Sequence, residues 1–355
     1  MKKKSGLRKV LKFLLTLIII GCVLFAGLLA YLTATEYKPE AVEDIPLKQG
    51  QSIPVKDEIT LVSWNLGYGG LDEDTDFFMD GGKMVMARSA KAVANSLEGI
   101  GNISEQLKGD FYLYQEVDRP SRRSYHMDQV RYLEKRLEYP GQFARNFHVK
   151  FIPYPWPPMG QVESGILTQS VYQPTSSQRI SLPVPFTYPV RLANLKRCLL
   201  VNRYPVIGEK ELVLINLHLD AYDDGEGKRE QSKVLMDLMK EEYEKGNFVI
   251  AGGDWNQSFQ EGTLKYPRAP EGMWNPGELL RDEVPSNWTF AYDDSHPTSR
   301  LNNKPYEKGS EDTWYYVIDG YLVSPNVEVK EVKTIPLDFK YTDHEPVVLK
   351  AKLIK

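Results

Sequence analysis

Cysteine is nearly absent from this 355-residue chain, which has only Cys22 and Cys198. Cys22 lies inside an apolar run, so no disulfide can close within the remainder, whose fold must rest on core size or on bound ions. Histidine is scarce too, five in all, so an imidazole at a recurring motif carries weight as a proton carrier. The sequence has no internal repeat and no low-complexity block, which sets aside solenoid architectures. It also lacks any motif that would activate a serine or cysteine, which speaks against a covalent intermediate.

Charge is missing from residues 13–34, FLLTLIIIGCVLFAGLLAYLTA, and acid is missing from the stretch before them, which holds six Lys and Arg. An uncharged, mostly apolar segment of this length matches the ~20 residues that cross a bilayer as a helix. Cations ahead of it favour a cytoplasmic N-terminus with the rest of the chain outside the cell. We therefore expect a cytoplasmic basic tail at 1–12 and an uncleaved transmembrane anchor at 13–34, in a single-pass cell-membrane protein with an extracellular domain. Two alternatives stand beside this. IIGC places Cys22 where a lipoprotein signal would, and a cleaved signal peptide has a shorter apolar core, ~7–15 residues.

Hydrophobic residues make up 42% and charged residues 26%, a balance that can bury a sizeable core. The net charge of −4 becomes −10 once the six N-terminal cations are set aside. Such a domain does not draw long polyanions by bulk electrostatics, which favours a lipid headgroup or small molecule over nucleic acid as partner.

Residues 35–57 mix three prolines with charges and show no steady period, as a linker would. From 58 to 355, apolar strands alternate with amphipathic helices. EITLVSWN and DFYLYQE read as strands, and between them Met86, Ala90, Val93, Leu97 and Ile100 fall at helical spacing. In ELVLINLHLD, Val213, Ile215, Leu217 and Leu219 share one face while Asn216 and His218 share the other. A helix follows, striped by Val234, Leu235, Leu238 and Met239 and stopped at Gly246. NFVIAGG, YYVIDGYLV and EPVVLKAKLI are strand-like, and residues 258–312 read as a long irregular excursion.

Polar residues recur at the ends of these strands: Asn65, Glu116, His218, Asp254 with Asn256, Asp319, and Asp343 with His344. A sheet rim carrying carboxylates, amides and imidazoles can gather them on a divalent ion and a phosphate. Asp254 and Asn256, two apart, would face the same way from an extended backbone.

The stretches SWNLG, YQEV, INLHLD, GGDWN, VIDGYLVS and YTDHEPV, in this order, resemble the endonuclease/exonuclease/phosphatase superfamily, whose fold is that of pancreatic deoxyribonuclease. The resemblance covers roughly residues 58–353. It implies an α+β fold, a four-layer α/β/β/α sandwich of two packed mixed β-sheets, here preceded by one transmembrane helix. It also implies that Glu116, helped by Asn65 and Asp343, holds a divalent ion, Mg²⁺ or Mn²⁺. Asp254 would orient or deprotonate the attacking water, and Asn256 would hold it or donate to a phosphoryl oxygen. His344 and His218 would stabilise developing charge and assist the leaving oxygen, with Asp319 as the candidate partner of His344.

Other features carry no motif. His126, His148 and His296 read as surface or substrate-side residues. Arg122 and Arg123 read as solvated charge or phosphate contacts, and FIPYPWPPMG as a stiff structural loop or a contact for lipid or a substrate ring. The expected activity is metal-dependent hydrolysis of a phosphoester, as a phosphodiesterase or phosphatase acting on a lipid headgroup or small molecule. The alternatives are an extracellular endo- or exonuclease and an inert binding ectodomain of the same fold.

Overall fold

The computed structural model describes residues 2–48, 52–208, 210–223, 225–259, 265–279, 281 and 284–354. Alternating apolar strands give two large sheets. The first runs, in spatial order, β1 (Val42–Asp44), β6 (Ser176–Ser181), β7 (Cys198–Pro205), β8 (Glu211–His218), β9 (Phe248–Asp254), β15 (Asp319–Val323) and β12 (Thr289–Ala291). The second runs β16 (Val327–Thr334), β17 (Val347–Leu353), β2 (Glu58–Asn65), β3 (Phe111–Asp118), β5 (Gly160–Ser170) and β4 (Gly141–Ile152). Both are mixed, because β2/β3 and β8/β9 are parallel while their neighbours are antiparallel. Two short ribbons pair β10 (Gln257–Ser258) with β11 (Gly277–Glu278) and β13 (Ser299–Arg300) with β14 (Tyr315–Tyr316).

The period of two in β8 explains the layering. Leu212 and Leu214 point between the sheets, where they meet Leu61, Phe111, Leu113, Ile250, Tyr321 and Leu349. Val213, Ile215 and Leu217 point outward, against Leu235, Met236 and Met239 of α4 (Glu226–Glu244). The second sheet turns Val62, Trp64, Tyr112 and Tyr114 toward Ile100 of α2 (Ala90–Leu107) and Leu133 and Leu137 of α3 (Gln129–Leu137). The result is the α/β/β/α sandwich. Asn216 is spent inside it: its amide donates to the carbonyls of Tyr114 and Leu167 at 3.2 and 3.0 Å, tying sheet to sheet.

Three local expectations change. Met86 precedes α2 and Ala90 is exposed on it, because the Ser89 side chain caps the helix by accepting from the Ala92 N–H. YYVIDGYLV is two strands rather than one, broken at Val317 and Ile318 where the Thr298 hydroxyl accepts the Ile318 and Asp319 N–H groups. The excursion 258–312 holds four short strands in its described part. Residues 35–48 and 52–57 lie against the domain: β1 pairs with the edge strand β6, Val55 is fully buried beside Val206, and Glu36 pairs with Lys196 and Arg191.

The N-terminal helix α1 (Lys2–Ala34) contains a stretch, Gly6–Ala34, long and apolar enough to cross a membrane. Most of it is exposed, but Leu28, Leu29 and Leu32 pack on Phe147, Val149, Ile152, Met159 and Leu192 of the domain. Cys22 is exposed on this helix and Cys198 is buried, and both are free thiols.

One buried ion pair locks the α4 layer to the first sheet. Arg203 donates two bonds to Glu242, at 2.8 and 2.7 Å, and Lys245 and Asn247 add two more. Burial alone would raise the Glu242 carboxyl, but these bonds hold it at about 2. Arg203→Ala is expected to lower stability by on the order of 2 kcal/mol, because it removes two charge-assisted bonds from a buried carboxylate that keeps only Lys245 and Asn247. Denaturant titration at pH 7 checks this. The difference should shrink as pH falls from the unfolded Glu value toward 2, because a depressed carboxylate stabilises only while ionised. A loss that did not vary with pH would contradict the assignment.

Candidate active site

The strand register brings the polar residues together. His218 at the end of β8 lies beside Asp254 at the end of β9, and Asp254 lies opposite Asp319 at the start of β15. Gly253 permits this crossing: its φ is +151°, and a Cβ there would sit 2.0 Å from the Leu217 carbonyl oxygen. In the second sheet a bulge at the end of β3 puts Glu116 at φ +51°, outside the ladder and facing a cavity beside Asn65. Gly67, at φ +49°, lets the loop after β2 approach Asp343; a Cβ would meet the Thr342 hydroxyl at 2.8 Å and an Asp343 carboxylate oxygen at 3.1 Å.

Asp254 is the hub. One of its oxygens, Oδ2, accepts from the Asn65 amide at 2.9 Å and lies 3.4 Å from His218 Nε2 and 3.7 Å from His344 Nε2. The other accepts the Asn256 backbone N–H at 2.9 Å. Asn256 is thus not extended but left-handed at φ +51°, closing an Asx turn, and its amide also donates to the Leu219 carbonyl at 2.9 Å. Both residues still line the cavity. The Asn65 amide reaches Glu116 as well, at 3.3 Å, while its oxygen accepts the Gly67 N–H at 3.0 Å. His344 Nδ1 meets Asp319 Oδ2 at 2.9 Å, and its Nε2 is 3.3 Å from the Ser299 hydroxyl. Asp343 lines the same cavity, with the Asn302 amide 3.4 Å away. All eight residues singled out in the sequence therefore meet at one place.

The two imidazoles are driven apart in charge. Burial lowers His218 well below its ordinary value, helped by Arg197 and His344, so it is neutral at pH 7. Burial opposes charge on His344 too, but Asp319 and Asp254 outweigh it and raise the group well above its ordinary value. Asp254 is pushed up to about 6, first by burial and then by Asp319. Asp343 also rises to about 6, first by burial and in part through Glu116. A neutral imidazole, a cationic one and a carboxylate poised near neutrality form an acid–base set.

Among the described residues, two places have the donors for a metal. Asp254, Asp319 and His344 bring one ligand atom each within 4.8 Å of one another, close enough to hold an ion. There, however, the imidazole is protonated and already bonded to Asp319, which suits proton handling better. Glu116 and Asp343 offer hard oxygens to the cavity. Among the described residues Glu116 has no ion-pair partner, only the Asn65 amide. Mutual repulsion and a missing cation fit a divalent ion there.

Sequence reasoning missed two arginines. Arg197, just before β7, and Arg300, in β13, line the cavity and are nearly fully buried. Arg197 Nη1 and Arg300 Nε have no partner. No period or motif marks either residue; only the fold turns them inward. Guanidinium groups at a cavity wall that keep an unpaired N–H suit a phosphate. Arg123 is instead spent on Asp118, at 2.8 and 3.1 Å, and Arg122 on the Pro158 carbonyl. His126 and His296 are exposed, and His148 packs against Tyr37 away from the cluster.

The cavity is about 600 Å³. Glu116, His218, Asp254, Asn256, Asp343 and His344 form its polar floor, and its walls include Leu28, Phe78, Met159 and Leu192.

No protein-family model matches this sequence, and no curated protein does. Solved structures do match in fold. An endonuclease/exonuclease/phosphatase protein of Beutenbergia cavernae is 16% identical, with 84% of this chain and 72% of that one covered, at a TM-score of 0.59. One from Bacteroides vulgatus is also 16% identical, with 84% and 100% covered, at 0.52. D. rerio TDP2 in complex with a single-strand DNA product is 15% identical, with 84% and 100% covered, at 0.50. The chain has the endonuclease/exonuclease/phosphatase fold.

Proposed function

From that shared fold and the cluster it encloses, we propose that this chain is a divalent-metal-dependent phosphoester hydrolase. It acts as a phosphodiesterase or phosphatase on a lipid headgroup or small phosphoester. The observation that carries this reading is the placement of Asp254, bound by Asn65 and flanked by a neutral His218 and a cationic His344, beside the unpaired carboxylate of Glu116. Glu116 and Asp343 would hold a Mg²⁺ or Mn²⁺ ion, which would supply charge neutralisation and polarisation of the phosphoryl group.

The chain's own residues do the rest. Asp254 aligns a water and accepts its proton as the oxygen–phosphorus bond forms. His344, kept charged by Asp319, donates through Nε2 to a phosphoryl oxygen as charge builds there. Asn256 offers its second amide hydrogen, and Arg300 and Arg197 donate to phosphate oxygens. Neutral His218 donates a hydrogen bond to the leaving oxygen as the ester bond breaks, and that oxygen takes its proton from solvent. In this reading α1 holds the enzyme in the cell membrane with the domain outside, as the six preceding cations favour. Recovery of the full chain in the cytosolic fraction would contradict that placement.

A nuclease is the second reading, favoured by the neighbour with a single-strand DNA product and disfavoured by a charge of −10 outside the N-terminal tail. A panel of sphingomyelin, inositol phosphates, nucleotides and single-stranded DNA, with and without chelator, separates them. The expected result is turnover of a lipid or small phosphoester that drops at least about 100-fold under EDTA and returns with Mn²⁺. Activity that survives chelation would rule out the metal mechanism, and no turnover of any substrate would leave an inert binding domain.

A further inference from the structure

The end of α1 is part of the cavity. Phe25, Leu28, Leu29 and Leu32 line it together with the polar floor, and Leu28, Leu29 and Leu32 belong to one apolar cluster with Phe78 and Leu192. The uncharged run of α1, Phe13–Ala34, spans about 33 Å at ~1.5 Å per residue, close to the ~30 Å hydrocarbon thickness of a bilayer. Phe25 precedes Ala34 by about 13 Å on the same rise. If this run crosses the bilayer, the wall from Phe25 to Leu32 lies at the depth of one leaflet's acyl chains, not in water. Near the outer end of that run the domain exposes aromatic side chains. Tyr154 and Trp156 are 72% and 88% exposed, and Tyr188 and Val190 are 49% and 56% exposed. Phe78 meets Tyr154 edge-on at 6.3 Å, and the Tyr188 hydroxyl lies 3.4 Å from that of Thr33 on α1. Exposed Trp and Tyr beside a spanning helix sit at the headgroup level.

We propose that the substrate is a membrane amphiphile that enters from the side. Its phosphoester reaches Arg197, Arg300 and the acid–base cluster, while its hydrocarbon chain stays against Phe25, Leu28 and Leu29 of the anchor. The inference rests on the phosphohydrolase reading and adds to it the route and the hydrophobic half of the substrate. The anchor is then a wall of the binding site as well as a tether. The polar floor and the apolar wall lie on one continuous cavity, as the two halves of a phospholipid require.

The test uses the full chain in phosphatidylcholine nanodiscs carrying a minor fraction of phosphatidic acid, phosphatidylglycerol or sphingomyelin. The short-chain, water-soluble analogue of each lipid is assayed in parallel with Mn²⁺. The readout is the ratio of kcat/KM on the long-chain substrate to that on its short-chain analogue, which partial misfolding leaves unchanged. Leu28→Trp, which fills the wall, and Tyr154→Ala, an exposed residue of the lining, are each expected to lower this ratio at least ten-fold. A ratio unchanged in both variants would overturn the proposal, and so would a wild type that turns over only the soluble analogues. The latter result leaves the phosphohydrolase reading intact. A wild type that hydrolyses neither form overturns the proposal, and turnover of inositol phosphates or nucleotides then decides whether the phosphohydrolase reading stands.

Discussion

Asp254→Ala is expected to reduce kcat by about 10³-fold or more while leaving the protein at least as stable as wild type at pH 7. The two effects have one cause. Asp254 is buried, faces Asp319, and is raised to about 6. A carboxyl whose folded value lies above its unfolded one, near 4, favours the fold only while protonated. Its ionisation therefore lowers stability as pH rises from about 4 to 6 and leaves the fold strained at neutrality. The strain is the reverse side of a base tuned toward neutrality. Thermal melts of both proteins at pH 4.5 and 7.5 check this: the alanine variant should gain relative to wild type at the higher pH. A variant that lost stability equally at both values would show Asp254 to be structural. The catalytic loss should persist under saturating substrate, because the residue acts on water rather than on binding.

Glu116→Gln carries the other large expected effect. The amide keeps the size of the side chain and can still meet Asn65, but it removes a cavity carboxylate that has no ion-pair partner among the described residues and is met there only by the Asn65 amide. If a divalent ion sits there, kcat/KM should fall by about 10³-fold or more, and added Mn²⁺ should restore only a small part. Folding should be unchanged, because Glu116 is only partly buried and stands outside the β3 ladder at φ +51°. Unchanged activity in this variant would move the metal to Asp254, Asp319 and His344, or remove it.

Much of this site was legible because its residues terminate apolar runs. Period-two burial in β8 puts His218 on the inner face by parity alone, and parallel pairing then sets it beside Asp254. Asp319 could be matched to His344 because it interrupts the apolar stretch YYVIDGYLV, where a lone carboxylate needs a partner. Other features depend on contacts distant in sequence. Arg197 and Arg300 sit on short or irregular segments where no period marks an inward face, so only tertiary packing reveals their unpaired N–H groups. Asn256 looked extended from its spacing, but a left-handed turn orients it, and backbone conformation of that kind leaves no hydropathy signal. The capture of residues 42–44 as an edge strand, and the lodging of Leu28 and Leu29 in the cavity wall, depend on surfaces formed by residues more than a hundred positions away.

Calorimetric titration of Mn²⁺ into the metal-stripped wild-type chain and into Glu116→Gln tests the central claim most directly. The account predicts saturable binding by the wild type and binding at least ten-fold weaker in the variant, while both show the same melting temperature without metal. Equal affinity in the two proteins, or no binding by a folded wild type, would contradict it.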